Sequence, residues 1–414
     1  MAEEPFDVVL RDVRIRRRPG GPVHVGIRNG CIDAITVEPI RGRVQLEGEG
    51  NLLAPSFVDA HLHLDKVYTV SMVGDDALQR YASGTMEQAM SAIELAAAIK
   101  ARCSEAWIYA NARRAVLEGL RHGVTHVLAF ADTDTKARLE GVRAMLRLRG
   151  ELREIVDLRV VAFPQEGLLR DPGAEDYVRE ALELGADVVG GIPWIEHTDR
   201  EAEEHVERMM SLASAYDRDV AMLTDDAGDP TLRTTEMLAQ AAIRHGRIGR
   251  VVACHARAMA LYPEPYFRRL VALARRAGMA FVSAPHTGPL HLRIEALLEA
   301  GLPVALGQDD IADAYYPYGR HNLLEVAFIA SHLIGAPTFN QMEMLLDLVT
   351  TQAARVLRIA DHDVDIGAAA DLVLLHGSDA REVLTMHAPP RYVLRRGRVV
   401  AETSEETRYP VLGV

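Results

Sequence analysis

Eight apolar, β-rich runs constrain this chain more than any other feature: NLLAPSFVDAH (51–61), GVTHVLAF (123–130), LRVVAFP (158–164), ADVVGGIPW (186–194), RDVAMLT (218–224), GRVVACH (249–255), MAFVSAP (279–285) and PVALG (303–307). Amphipathic helical stretches separate them. From the second run onward the spacing is about 24–35 residues, one βα unit each. Nearly continuous apolar strands are buried on both faces, which indicates parallel pairing. Eight such units predict an α/β protein built on a TIM-type (β/α)8 barrel rather than a doubly wound sheet. The long gap after the first run is expected to hold extra helices at about 85–121.

The two ends of the chain differ from the middle. Residues 1–50 alternate apolar and polar positions between turns such as RPGG and RNG, and ADLVLLH (370–376) and RYVLRRGRVVAE (391–402) repeat that style, with RRGR as a hairpin turn. We therefore expect one small β-sandwich made from both ends, residues 1–52 and 361–414, around a barrel spanning 53–360. The run RIRRRPG (14–20) is expected to be a solvated hairpin edge.

Composition narrows the function. With 414 residues there is room for one large and one small domain. A net charge of −13 argues against a nucleic-acid or membrane-surface partner. The three cysteines have no metal-knuckle spacing, the N-terminus has no signal-peptide pattern, and no long apolar span occurs. A cytoplasmic enzyme is the expectation.

In a TIM-type barrel, chemistry gathers at the C-terminal ends of the strands. His61, His63 and Asp65 follow the first run, Asp132 the second, Gln165 and Glu166 the third, and Trp194 and Glu196 the fourth. Asp225 and Asp226 follow the fifth, His255 the sixth, His286 the seventh, and Asp309 and Asp310 the eighth. A His-x-His pair alone means little, because 16 histidines give roughly 0.6 such pairs by chance. Its position on the first strand gives it weight. Strand alternation turns His61 and His63 to the lumen, toward Asp309 across it, where they can converge on a divalent ion. Asp309 can bind the ion and accept a proton from water. Asp310 would face substrate, and Gln165 matches the amide edge of a planar heterocycle. His255 could polarise a carbonyl or hold a hydroxide.

These residues together resemble the amidohydrolase superfamily, in its cytosine deaminase branch, which includes the isopropylammelide amidohydrolases. The likeness runs through PSFVDAHLHLDK, AFPQEGLL, ADVVGGIP, CHARAM, FVSAP and GQDDIADAYYPYG to the closing ADLVLL and RYVLRRGRVVA. It implies a metal-containing (β/α)8 barrel with a β-sandwich from both chain ends. It implies His61, His63 and Asp309 as ligands of one divalent ion, zinc or iron. By the same resemblance His255 lies near the nucleophilic water, and Gln165 and Asp310 contact substrate. Relatives are often homo-oligomers.

The departures are informative. The family's fifth-strand histidine ligand falls on Leu223, with no histidine between His205 and His245, and the acidic shuttle three residues on becomes Asp226. Phe130, Trp194 and Gln308 stand where relatives carry histidine. Trp194, Phe130 and Tyr315 suggest a flatter, more apolar pocket than cytosine needs. The expected function is hydrolysis of a C–N bond in a small cyclic amide, imide or amidine. Asp309, His255 and Asp226 would be catalytic, and Gln165, Asp310, Trp194 and Tyr315 would bind substrate. Because leucine cannot ligate, the ion could also be weak or lost, with the pocket serving a non-hydrolytic acid/base step. A non-catalytic binding protein is the remaining alternative.

Overall fold

The computed structural model describes residues 4–73, 96–408 and 410. The expected helices at about 85–121 fall partly outside the described residues; within them, the helix Glu105–Arg121 fills the end of that gap.

Strands β1 (Phe6–Ile15), β2 (Val23–Arg28), β3 (Cys31–Thr36), β4 (Gly42–Glu47) and β5 (Leu52–Pro55) come from the start of the chain. The barrel strands follow: β6 (Phe57–Leu62), β7 (Val124–Asp132), β8 (Asp157–Phe163), β9 (Val188–Gly191), β10 (Asp219–Thr224), β11 (Val251–His255), β12 (Ala280–Ser283) and β13 (Val304–Leu306). The chain end adds β14 (Leu372–Leu374), β15 (Tyr392–Arg395) and β16 (Arg398–Glu402). One sheet runs β16-β15-β14-β5-β1-β2-β3, with β4 on β1, so both chain ends form one separate sandwich-like unit. The other runs β13 to β6 in unbroken order, its paired strands parallel, with helices between them. The first apolar run is therefore two strands. Leu52–Pro55 pairs with β14 in the small sheet, and only Phe57–Leu62 enters the barrel. Ser56 is the joint between them.

The barrel closes at one point. Asp309 N–H donates to His61 O at 2.8 Å, and His63 N–H donates to Asp309 O at 2.7 Å. Residues two apart fill the lumen: Leu128 and Phe130, Val161 and Phe163, Ala221 and Leu223, Val252 and Cys254, Ala280 and Val282. Their neighbours, such as Val127, Ala129, Val220, Met222 and Val251, pack outward with the helices. This period of two on these five strands makes the middle a packed core rather than a pore.

Residues 17–20 of the 14–20 run are exposed as expected, but Arg16 is the exception. It is not solvated. Its guanidinium is buried against Glu343 and Asp347 of the helix Phe339–Leu348, each at 2.9 Å, which fastens the small sheet to the barrel. Among the described residues no helix is long and apolar enough to cross a membrane. Truncating Arg16 takes the buried counter-charge from Glu343 and leaves it only the half-exposed Arg17, at 3.5 Å. Arg16→Ala should therefore lower unfolding stability by about 3 kcal/mol, read as a fall in the urea midpoint; an unchanged midpoint would contradict this docking role.

Candidate active site

The first strand does not follow plain alternation. Val58 and Ala60 fill the lumen and Leu62 packs outward. Strict alternation from these residues would send His61 outward. A register shift between Asp59 and Leu62 breaks the pattern, as bulges beside active sites do. His61 then turns inward onto the lumen ring of Phe130, with centroids 4.2 Å apart, and His63 lies at 5.4 Å from the same ring.

Three imidazoles converge on one oxygen. From Asp309 Oδ1, His61 Nε2 is 3.2 Å, His255 Nε2 3.6 Å and His63 Nε2 3.8 Å. Asp309 is not across the lumen from His61 and His63 as expected; it is their immediate neighbour, because β13 runs on into the closing bridge beside β6. Asp309 and His255 both hold left-handed backbone, φ 64° and 65°, an uncommon conformation for these residue types that is found at sites where side chains must be re-aimed.

The donor set suits a cation. Both ring nitrogens of His61 and Nδ1 of His63 are buried without an aligned hydrogen bond, a costly state for polar atoms that a divalent ion would relieve. Burial and the nearby Lys66 hold the His63 imidazole well below its ordinary value, so it is neutral and able to ligate. His61 is the opposite. Burial works against its charge, but Cys254 and Asp309 outweigh it and push it up to about 10. Burial alone would raise Asp309, yet His255, His61 and His63 hold it well below the carboxylate range. His61, His63 and Asp309 could hold an ion. His61, His255 and Asp309 also cluster closely enough to do so. Leu223, on β10, contributes only an apolar wall.

The cleft above this cluster has about 450 Å³ of free space, its open mouth included, and is lined by His63, Gln165, Trp194, Asp226, Asp310 and Tyr315, with Leu223 and Arg257. Every expected substrate or acid/base residue is thus on its wall, joined by His255 and Asp309. Phe130 is not; it lies beneath the imidazoles, so it supports the histidines rather than flattening the pocket. Asp225 and Glu196 also serve structure. Asp225 accepts N–H bonds from Thr234 and Thr235 and the Tyr262 hydroxyl, and Glu196 clamps the amides of Leu168, Leu169 and Arg170.

Two residues went unassigned in the sequence. Arg257 Nε donates to Asp226 Oδ1 at 2.5 Å, and Nη2 donates to Thr287 Oγ1 at 2.8 Å. That hydroxyl is 2.6 Å from Asp309 Oδ2 and 3.0 Å from Ala284 O, and its one hydrogen goes to the nearer, carboxylate oxygen. The Thr287 contact occupies Oδ2 and leaves Oδ1 to the imidazoles. A Cβ on Gly288 would overlap Arg257 Nη1, so that glycine makes room for the guanidinium. The other is Lys66, buried between Asp132 Oδ1 and Gln165 Oε1, 3.0 Å from each. The signals were present, as the third residue of HAR (255–257) and the last of HLHLDK (61–66), but a lone basic residue beside a histidine motif does not declare its partners.

His255 has a readable tautomer. Its Nδ1 is 3.5 Å from Arg257 Nη2, and arginine can only donate. Nδ1 is therefore the acceptor and Nε2 carries the hydrogen. Burial lowers this imidazole to about 4 against the pull of Asp226 and Asp309, so it is neutral at pH 7.

Comparison with known proteins identifies the family. Residues 108–401 match the model of the amidohydrolase family. The chain is 28% identical over 415 residues to N-isopropylammelide isopropyl amidohydrolase of Pseudomonas sp. (strain ADP), covering 96% of this chain and 98% of that one. It is 25% identical to a pterin deaminase of Rhizobium rhizogenes over 86% of this chain and 82% of the relative. A 5-methylcytosine deaminase from Klebsiella pneumoniae, solved with 5-fluorocytosine, superposes with a TM-score of 0.89 at 29% identity, over 97% of this chain and all 100% of that one.

Because His61 carries a proton that an ion must displace, loading the site with zinc should release about one proton per ion, and affinity should rise with pH. Calorimetry in buffers of different ionisation enthalpy measures this; uptake with no proton release would show that Cys254 and Asp309 do not hold a proton on His61.

Proposed function

The chain belongs to the amidohydrolase family, on its cytosine deaminase and ammelide hydrolase branch, and from that premise we propose that it hydrolyses a C–N bond in a small cyclic amide, imide or amidine. The observation that carries this reading is the convergence of His61, His63 and His255 on one oxygen of Asp309 at the floor of a cleft. That is the donor set of a hydrolytic metal site rather than of a binding module. The net charge of −13 fits a small-molecule substrate and no nucleic acid.

A divalent ion, zinc or iron, held by His61, His63 and Asp309 would supply Lewis acidity and lower the pKa of a water at the site. The protein's own groups do the rest. Asp309 Oδ1 accepts the water proton, because Thr287 already occupies Oδ2. His255 presents Nε2–H to the oxygen or nitrogen that gains negative charge as the sp² carbon is attacked. Asp226, held at the cleft wall by Arg257, stands where a proton can pass to the leaving nitrogen. Gln165, Trp194, Tyr315 and Asp310 bind the ring. The relatives' reactions divide between deamination and loss of an amine substituent; both begin with this attack.

Asp309→Asn keeps the shape and removes the base. With a panel of cyclic amides and amino-heterocycles in ¹⁸O-labelled water, the native protein should place one solvent oxygen in its product, and the variant should lose about 10³-fold or more in turnover. Turnover without solvent oxygen would favour a cyclisation, isomerisation or lyase step and sink the hydrolytic reading.

A further inference from the structure

A bulge leaves its extra residue out of the ladder, and a buried N–H then needs another acceptor. On β6 the extra residue can be counted. Asp59 pairs with Val127 and Leu62 with Ala129, so three steps on one strand face two on the other. The His61 N–H in this stretch donates to the Asp59 side chain, Oδ1 at 3.2 Å. A carboxylate that folds back on the amide two residues on offers the backbone an alternative to the sheet ladder. The same oxygen accepts the Gln308 N–H at 3.1 Å, from just beyond β13. One buried carboxylate thus holds both sides of the seam where the barrel closes.

Val58 and Ala60 fill the lumen, so Asp59 between them faces outward. There its Oδ2 lies 3.0 Å from His321 Nε2, and His321 Nδ1 donates to Ala115 O of the helix Glu105–Arg121 at 3.0 Å. Asp59 and His321 are both fully buried. Neither Asp59 Oδ2 nor His321 Nε2 has an aligned hydrogen bond among the described residues, so each depends on the other. Two glycines make room for the arrangement. A Cβ on Gly119 of that helix would overlap His321 Nδ1, and a Cβ on Gly307 would stand 2.8 Å from His61 Cβ. We infer that Asp59 is a positioning residue of the metal centre: its carboxylate, braced by His321, holds the bulge that turns His61 inward beside His63 and Asp309. It acts through the His61 backbone and not on substrate. The inference rests on the reading above that His61 ligates an ion, but it concerns how the ligand is aimed and not turnover.

The test loads metal-free protein with cobalt(II). Its visible absorption reports the ligand set, and competition with a chromophoric chelator gives the affinity. Asp59→Asn keeps an oxygen for both N–H groups, so affinity and spectrum should stay close to native. Asp59→Ala removes the acceptor. Cobalt should then bind about 10–100-fold more weakly, the usual cost of losing a group that orients a ligand, and the spectrum at saturation should change as His61 leaves the site. A merely structural role would lower the unfolding midpoint and leave both readouts of the folded protein unmoved. If Asp59→Ala does not fold, His321→Ala decides: it keeps the seam bonds, removes the brace, and should weaken cobalt binding severalfold. Native affinity and spectrum in the folded variant that decides, or a loss in Asp59→Asn as large as in Asp59→Ala, would overturn the inference. The expected pattern in a protein that hydrolyses nothing would leave it standing and defeat the proposed function instead. Hydrolysis with cobalt binding indifferent to Asp59 would do the reverse, and a native protein that takes up no cobalt would overturn both.

Discussion

The reciprocal backbone bonds between Asp309 and the His61–His63 segment hold the rest of the site together. They close the barrel, and they place the ends of its first and last strands side by side. Residues separated by nearly 250 positions in sequence become neighbours through two hydrogen bonds. The left-handed backbone at Asp309 then turns its carboxylate back toward the imidazoles. A barrel that failed to close here would keep most of its core and lose its chemistry.

Electrostatics set the division of labour around that closure. Asp309 is held well below the carboxylate range beside the protonated His61, while burial with the neighbouring Asp309 and Asp313 pushes the Asp310 carboxyl well above its ordinary range. Adjacent carboxyls with opposed environments are able to take different roles. Where the family resemblance leads one to expect an imidazole at the end of the fifth strand, this chain has Leu223. Cationic Arg257 lies nearby, tying Asp226 to the cleft wall and, through Thr287, steadying Asp309. The ion would thus lose a ligand while its remaining carboxylate is held in a fixed orientation.

Much of this was legible in the sequence, for definite reasons. Eight apolar runs at βα spacing dictate a barrel, because parallel strands buried on both faces cannot hide their pattern. Polar residues at the ends of those runs mark the site, because that is where barrel loops begin. What escaped was whatever depends on contacts between units. The split of residues 51–61 into two strands of different sheets is invisible in a continuous apolar run. Alternation gave the right orientation for His61 and His63 only because a register shift at Asp59–Leu62 restores it. Phe130 was read as a pocket wall, but strand depth rather than residue type places it under the histidines. Arg16 sat in an arginine run that reads as surface, yet its partners Glu343 and Asp347 lie more than 300 residues away.

The central claim is that His61, His63 and Asp309 still form a working metal centre without a histidine at Leu223. Metal content by inductively coupled plasma mass spectrometry, on protein purified without chelator or metal affinity resin, tests it most directly. The account predicts about one zinc or iron per chain, lost in His61→Ala while the folded secondary structure is kept. Less than a tenth of an equivalent, unchanged after incubation with either ion, would contradict it and show that the leucine had removed the ion from this barrel.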